Sequence, residues 1–295
     1  MGVKKFVRFI DESGATQYGE VASSASKLEG TTASVLSGNP FDGFSNNGKQ
    51  ATIKKVRSPL FSGVGRSPAN LSKLLSPLES TPIFMCIGLN YAHHAKEANL
   101  TVPSNPVVFT KPADALAGPY EDISIHPEAQ SQLDYEGELC AIISKDCKNV
   151  SETEALDYVL GYTVGNDISA RNFQIPATVS GGQFGYAKSF DKFAPIGPAV
   201  LMAKGVDPQT MKYTTKVNGE VRQETGTDDM IWSVKKIIVH LSRGTTLRKG
   251  TVIMTGTPSG VGLFMQPQGF LKDGDVVEIG VEGIGSISNK VVFES

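Results

Sequence analysis

Two glutamates stand two residues apart in Asp134-Tyr135-Glu136-Gly137-Glu138-Leu139, a run that continues into Cys140-Ala141-Ile142-Ile143. On a strand starting at Glu136, the period of two puts both carboxylates on one face. There they repel unless a cation or a proton separates them. Asp167 adds a third acid in Val164-Gly165-Asn166-Asp167-Ile168-Ser169-Ala170-Arg171, where a strand over 162–165 meets a turn. Three oxygen donors, with no imidazole or thiolate in the set, select a hard ion, Mg2+ or Mn2+, over zinc. Spacing alone favours a plainer reading, a Glu-x-Glu pair on a solvated strand face.

Residues 83–97 read as a buried strand that breaks at Gly88 into a short helix. Glu97 follows His94 at i+3 and His93 at i+4, and either pairing lets the carboxylate orient an imidazole as a general base. Spacing does not choose between them, and a surface His–Glu pair is the commoner occupant of such a helix. His126 falls in a turn before Pro127, and His240 lies near a helix C-terminus, where a cation is mildly favoured.

Arg171, Gln174 and Lys188 are ordinary polar residues one by one, spread on either side of the Gly-rich loop 180–183. Thr255-Gly256-Thr257-Pro258-Ser259-Gly260-Val261-Gly262 is a strand running into a Gly/Pro turn, able to offer backbone N–H groups to an anion. It lacks the lysine of a phosphate-binding loop and the spacing of a dinucleotide fingerprint. A plain tight turn accounts for it equally well.

The elements that must carry these groups are mostly strands. Short β-type runs fall at 83–87, 106–110, 139–143, 252–255, 276–281 and 287–293. Asn218-Gly219, between runs 213–217 and 221–224, is the strongest hairpin signal in the chain. Ser151-x-x-Glu154 has the form of a capping box, predicting a short helix that ends near Val159. Val234, Ile237, Ile238 and Leu241 predict an amphipathic helix closed by Gly244. Few helices and no βαβ rhythm point to a folded-over mixed β architecture, a β-rich α+β class, in preference to a Rossmann or TIM fold.

The first 75 residues differ. Runs at 4–10 and 17–21 read as strands, residues 22–50 read as Ser/Gly/Asn-rich loop, and Pro59, Gly63, Gly65 and Pro68 punctuate the next stretch. We therefore divide the chain into a small loop-rich lobe, 1–77, and a larger catalytic domain, 78–295.

Bulk properties exclude several function classes. A chain of 295 residues with 40% hydrophobic and 20% charged residues supports a sizeable core. Net charge is −2, and ten basic against five acidic residues over 1–75 is too diffuse for a nucleic-acid surface. Residues 193–203 are apolar but too short to span a bilayer, and 251–271 are uncharged but interrupted by polar residues, Gly and Pro. Three cysteines without CxxC spacing suit reduced thiols inside a cell. The N-terminus shows neither a secretory signal nor a transit pattern, so the expected location is cytoplasmic, with mitochondria left open.

Taken in order, GLNYAHHAKE, KPADALAGP, DYEGEL, GNDISARNFQ, KSFDKFAPIGP, VNGEVRQ and TGTPSGVG resemble the fumarylacetoacetate hydrolase family from about residue 83 to the C-terminus. VGLFMQPQGFLKDGD is most similar to its subgroup called domain-containing protein two. The resemblance implies a folded-over β-roll catalytic domain behind a small N-terminal lobe, assembled as a homodimer. It implies Mg2+ or Mn2+ held by Glu136, Glu138 and Asp167, and a lid helix carrying His94 and Glu97, which favours His94 over His93. Lys188 falls at a catalytic position, and Arg171, Gln174 and Thr257 fall at positions that bind the substrate. Leu89 stands where some members carry Arg, so a charge for the far end of a dicarboxylate is missing.

The implied substrate is a small 2-oxo acid that chelates the ion and reacts through an enolate. Lys188 would add electrostatic stabilisation. Proton movement gives tautomerisation, loss of CO2 gives decarboxylation, and water attack on a C4 ketone gives C–C hydrolysis of an acylpyruvate. The subgroup resemblance puts oxaloacetate tautomerisation first, with hydrolysis of acylpyruvate or fumarylpyruvate as the alternative. A non-enzymatic metal-dependent binding module would leave His94, Glu97 and Lys188 without a task.

Overall fold

The computed structural model describes residues 3–22, 28–53 and 73–295. The punctuated stretch containing Pro59, Gly63, Gly65 and Pro68 lies outside them.

Among the described residues, strands form sheets of twelve, five and two members. At the centre of the large sheet, Gly137–Ile143 lies between Val159–Asn166 and Val252–Met254, antiparallel to both. Val252–Met254 continues in parallel to Phe84–Gly88, which pairs with Val107–Lys111. On the other side, Val159–Asn166 pairs with Ala194–Met202. The five-stranded sheet runs Glu220–Gly226, Lys212–Val217, Val276–Val281, Gly285–Phe293, Ile123–Ile125.

Gly137–Ile143 and Val159–Asn166 are buried along their whole length because both faces of the large sheet are covered there. Leu139, Ala141 and Ile143 join Tyr213, Ile279 and Ile287 of the smaller sheet in one core. Cys140 and Ile142 point the other way, into a second core with Cys86, Phe109 and Met254. By the same alternation Glu138 shares the Cys140 face. Gly137 between the two glutamates is forced by packing, since a Cβ there would strike the Thr215 hydroxyl.

The six β-type runs from 83 to 293 all form strands, and the hairpin turns on Asn218 and Gly219, both at positive φ. The helix Val234–Ser242 buries Val234, Ile237, Ile238 and Leu241 and is capped by Ser233. The Ser151–Glu154 segment departs from expectation. Ser151 bonds the Glu154 side chain instead of capping a backbone N–H, and a single 3-10 turn, Ala155–Tyr158, leads straight into the next strand.

The N-terminal segment is also more regular than its composition predicts. Beyond Lys5–Ile10 and Thr16–Glu20, the expected loop contains the strands Thr32–Asn39 and Gly43–Thr52. The Asn39 side chain accepts from the N–H groups of Phe41 and Asp42, which builds the turn between them. Ladder pairing overrides weak propensity here. Lys5–Ile10 pairs with Ala194–Met202, so these strands extend the large sheet.

Candidate active site

The central strand delivers Glu138, the residue before it is Glu136, and Asp167 follows directly on the neighbouring strand Val159–Asn166. Their ligand-type oxygens all lie within 4.8 Å of one another. Residue exposures of 7%, 1% and 0% overturn the solvated-face reading of the Glu-x-Glu pair. Backbone pairing sets the spacing: Asp167 N donates to Glu136 O, and Glu136 N donates to the Asn166 side chain at 3.0 Å.

Three cations close around these acids. Lys188 Nζ donates to Glu136 Oε2 at 2.8 Å, Asp167 Oδ2 at 2.7 Å and Ser169 Oγ at 2.7 Å. Arg171 reaches Glu136 through Nη2 at 2.6 Å, Asp134 through Nε at 2.9 Å and Gln174 through Nη1 at 2.7 Å. Lys111, fully buried, pairs with the other Asp167 oxygen and donates to the carbonyls of Ile168 and Phe193. Glu138 accepts only the Gly256 N–H, at 2.7 Å, among these groups.

This asymmetry splits the two glutamates electrostatically. Burial disfavours ionisation of Glu136, but Lys188 and Arg171 overcome it and hold its carboxyl down at about 2. Glu138 is pushed well above the usual range by burial and by the charges of Asp167 and Glu136. Burial opposes the charge on Lys188 too, yet Asp167 and Glu136 raise its pKa, so the ammonium stays protonated. An acidic trio with one carboxyl lacking a strong cation partner fits a hard divalent ion in donor chemistry and in charge.

His94 Nδ1 lies 3.0 Å from Glu97 Oε2, and Glu97 Oε1 accepts the Gly260 N–H at 2.9 Å. The structure thereby separates the two histidines, because His93 is exposed and pairs with Asp229 at 2.7 Å. Thr257 donates to Gly137 O and accepts from Gln223, so its hydroxyl braces the glutamate strand. The Gly turn at 256 does offer its backbone N–H to a carboxyl group, and that group is Glu138.

His94, Glu136, Arg171, Gln174, Lys188 and Thr257 line one cavity of about 150 Å3. Glu138 and Asp167 sit beneath it in the acidic trio, and Glu97 backs His94. Residue-by-residue reading missed Lys111, Asp134 and Gln223. Asp134 accepts from Gly262 and Leu263 N–H as well as Arg171, tying the 260–264 loop to the site. Its signal was its place at the head of the DYEGEL segment. Gln223 closes the VNGEVRQ segment, but its part in the site shows only through its bonds to Gly137 N and Thr257.

Fold and cavity together define a β-rich enzyme scaffold with an acidic, lysine-braced centre. Residues 83–292 match the family model described as fumarylacetoacetate (FAA) hydrolase C-terminal, and the chain belongs to that family. A Bos taurus protein named oxaloacetate tautomerase FAHD2A, mitochondrial, is 40% identical over 244 residues, which is 82% of this chain and 77% of the relative. The solved 2-hydroxyhepta-2,4-diene-1,7-dioate isomerase from Mycobacterium marinum superposes with a TM-score of 0.78 at 32% identity, covering 99% of each chain. A fumarylacetoacetate hydrolase from psychrophilic Exiguobacterium antarcticum gives 0.79 at 32% identity, covering 99% of this chain and 100% of its own. Among the described residues no helix is long and apolar enough to cross a membrane.

Proposed function

We propose that this chain catalyses the keto–enol tautomerisation of oxaloacetate, with Mg2+ or Mn2+ held by Glu136, Glu138 and Asp167. The observation that carries the reading is the meeting of an acidic trio, a buried protonated lysine and a carboxylate-oriented histidine at one small cavity. The bovine relative's name supports oxaloacetate as the substrate.

A hard divalent ion at the trio would supply Lewis acidity toward the carboxylate and 2-oxo oxygens. The protein's own groups do the rest. Lys188, kept cationic by Glu136 and Asp167, stabilises negative charge developing on the 2-oxo oxygen as the C3–H bond breaks. Glu97 accepts the Nδ1 proton of His94, which leaves Nε2 as the basic nitrogen that takes or returns the C3 proton. Gln174 and Thr257 line the same cavity, and Arg171 fixes Glu136 while orienting the substrate.

A second reading is C–C hydrolysis of an acylpyruvate, favoured by the His94–Glu97 couple, which suits water activation, and by the hydrolase among the structural relatives. Decarboxylation of oxaloacetate shares the same charge development. One experiment separates the three: enol absorbance, CO2 and pyruvate followed separately for oxaloacetate and an acylpyruvate, with Mg2+, Mn2+ or EDTA. Metal-dependent loss of oxaloacetate enol without CO2 or pyruvate above background is expected. Acylpyruvate cleavage well above oxaloacetate tautomerisation would transfer the function to the hydrolase reading.

We further propose a homodimer, tested by light scattering, and the division into a 1–77 lobe and a 78–295 catalytic domain, tested by limited proteolysis. The proposed compartment is the cytoplasm, with mitochondria as the alternative that the bovine relative's name supports, and fractionation distinguishes them.

A further inference from the structure

The polar side chains of the cavity share it with a largely apolar wall. Among the described residues lining it, the ionisable side chains are His94, Glu136, Arg171 and Lys188. Leu89, Leu100, Phe109, Ile175, Phe184 and Phe264 form most of the remaining wall. Phe109 and Phe184 meet edge to face at 5.9 Å, and Phe264 packs against the His94 ring at 5.8 Å. At the mouth, Leu100 and Ile175 are 56% and 52% exposed, large apolar side chains with surface left to cover.

Lys188 Nζ reaches this wall only over the face of the Phe109 ring, 4.8 Å from its centre. All three ammonium donors of Lys188 are taken by Glu136, Asp167 and Ser169. Arg171 directs Nε, Nη1 and Nη2 to Asp134, Gln174 and Glu136. A charged substituent pressed against the apolar wall would lose its water without gaining a partner. A phenyl ring would lose nothing polar against Leu89, Phe109, Phe184 and Phe264. Oxaloacetate is short enough to keep both carboxylates beside the polar side chains.

We propose that the same site tautomerises monocarboxylic 2-oxo acids bearing an apolar C3 substituent, arylpyruvates foremost. The inference rests on the enolising chemistry proposed above and adds a substrate class to it. From enol to keto form, the O–H bond at C2 breaks, the C2–O bond becomes a carbonyl, and C3 gains one proton. His94 is placed to deliver that proton, and no oxidant or co-reactant enters.

The test uses the full-length protein with Mg2+ and measures ketonisation of enol-phenylpyruvate and enol-oxaloacetate by loss of enol absorbance. The expected kcat/KM for phenylpyruvate lies within tenfold of that for oxaloacetate. Leu89→Arg brings a cation into the apolar wall at a backbone φ of 52° that a side chain already occupies, so the exchange adds no new backbone strain. It should lower the phenylpyruvate-to-oxaloacetate ratio at least tenfold. Phe184→Ser is read on the same ratio should Leu89→Arg fail to fold. Phenylpyruvate turnover more than tenfold below active oxaloacetate turnover, or a ratio unmoved by either folded variant, overturns the inference while the enolising reading stands. Turnover of neither acid overturns both.

Discussion

Replacing Lys188 by Met removes one of three cations, Lys111, Lys188 and Arg171, that face four buried carboxyl groups, Asp134, Glu136, Glu138 and Asp167. Burial and the neighbouring carboxylates favour the protonated form of Glu138, and with that proton in place the charges balance in the metal-free protein. A methionine in place of Lys188 would leave Glu136 and Asp167 with one uncompensated negative charge in the interior. Breaking a buried pair costs about 3–5 kcal/mol, and because Lys188 serves two carboxylates the upper part of that range applies. For a chain of this size the melting temperature in EDTA should fall by roughly 6–8 °C. Metal affinity should move the other way. A unit-charge pair at ~4 Å is worth ~4 kcal/mol at an effective dielectric of ~20, so removing a repelling ammonium should tighten Mg2+ binding by about tenfold or more after relaxation. The rate should nevertheless drop by about 10²–10³-fold through lost stabilisation of developing charge. Thermal melts with and without EDTA, Mg2+ calorimetry and enol kinetics test all three signs together. A variant with unchanged melting in EDTA and unchanged Mg2+ affinity would refute the charge-balance argument.

Chelation should abolish activity, Mg2+ or Mn2+ should restore it, and Mg2+ at about a hundredfold over its Kd should add about 2.7 kcal/mol of stability. Because the folded-state pKa of Glu138 is raised, its contribution to metal-free stability is present below the ordinary carboxylate range and is lost as pH rises through the folded value. Mg2+ takes the deprotonated carboxylate, so the rise in melting temperature on adding Mg2+ should grow with pH, which a pH series of melts checks. His94→Ala should slow turnover by about 10²–10⁴-fold with Mg2+ affinity unchanged, and Glu97→Gln should fall between it and the parent; a fall in Mg2+ affinity would make the helix structural. Ile237→Ala, in the core shared by the helix and both large sheets, should cost about 2–5 kcal/mol in denaturant melts and leave KM unaltered.

Local order explains which parts were legible. The run from Gly137 to Ile143, the Asn218-Gly219 turn and the 234–241 stripe each contain their own periodicity or turn chemistry, and each became the expected element. The loop-like 22–50 stretch became paired strands because its backbone bonds come from partners distant in sequence. Ser151 and Glu154 carried the right letters for a cap, but the strand starting at Val159 ends the turn early.

The acids themselves follow the same division. Types and spacing were enough to nominate Glu136, Glu138 and Asp167, because a period of two and a strand-to-turn junction are local geometry. Whether they formed a charged cluster or a wetted face depended on burial, and that came only when Lys111, Arg171, Lys188 and the turn at Gly256 were brought against them. Tertiary structure also put His94 in the cavity wall and turned His93 outward to Asp229, far away in sequence. It alone brought in Lys111, Asp134 and Gln223, whose partners lie 56, 37 and 86 positions away along the chain at Asp167, Arg171 and Gly137. The physical reason is that charge compensation in a buried site is a sum over neighbours in space, and a linear chain displays only the neighbours in sequence.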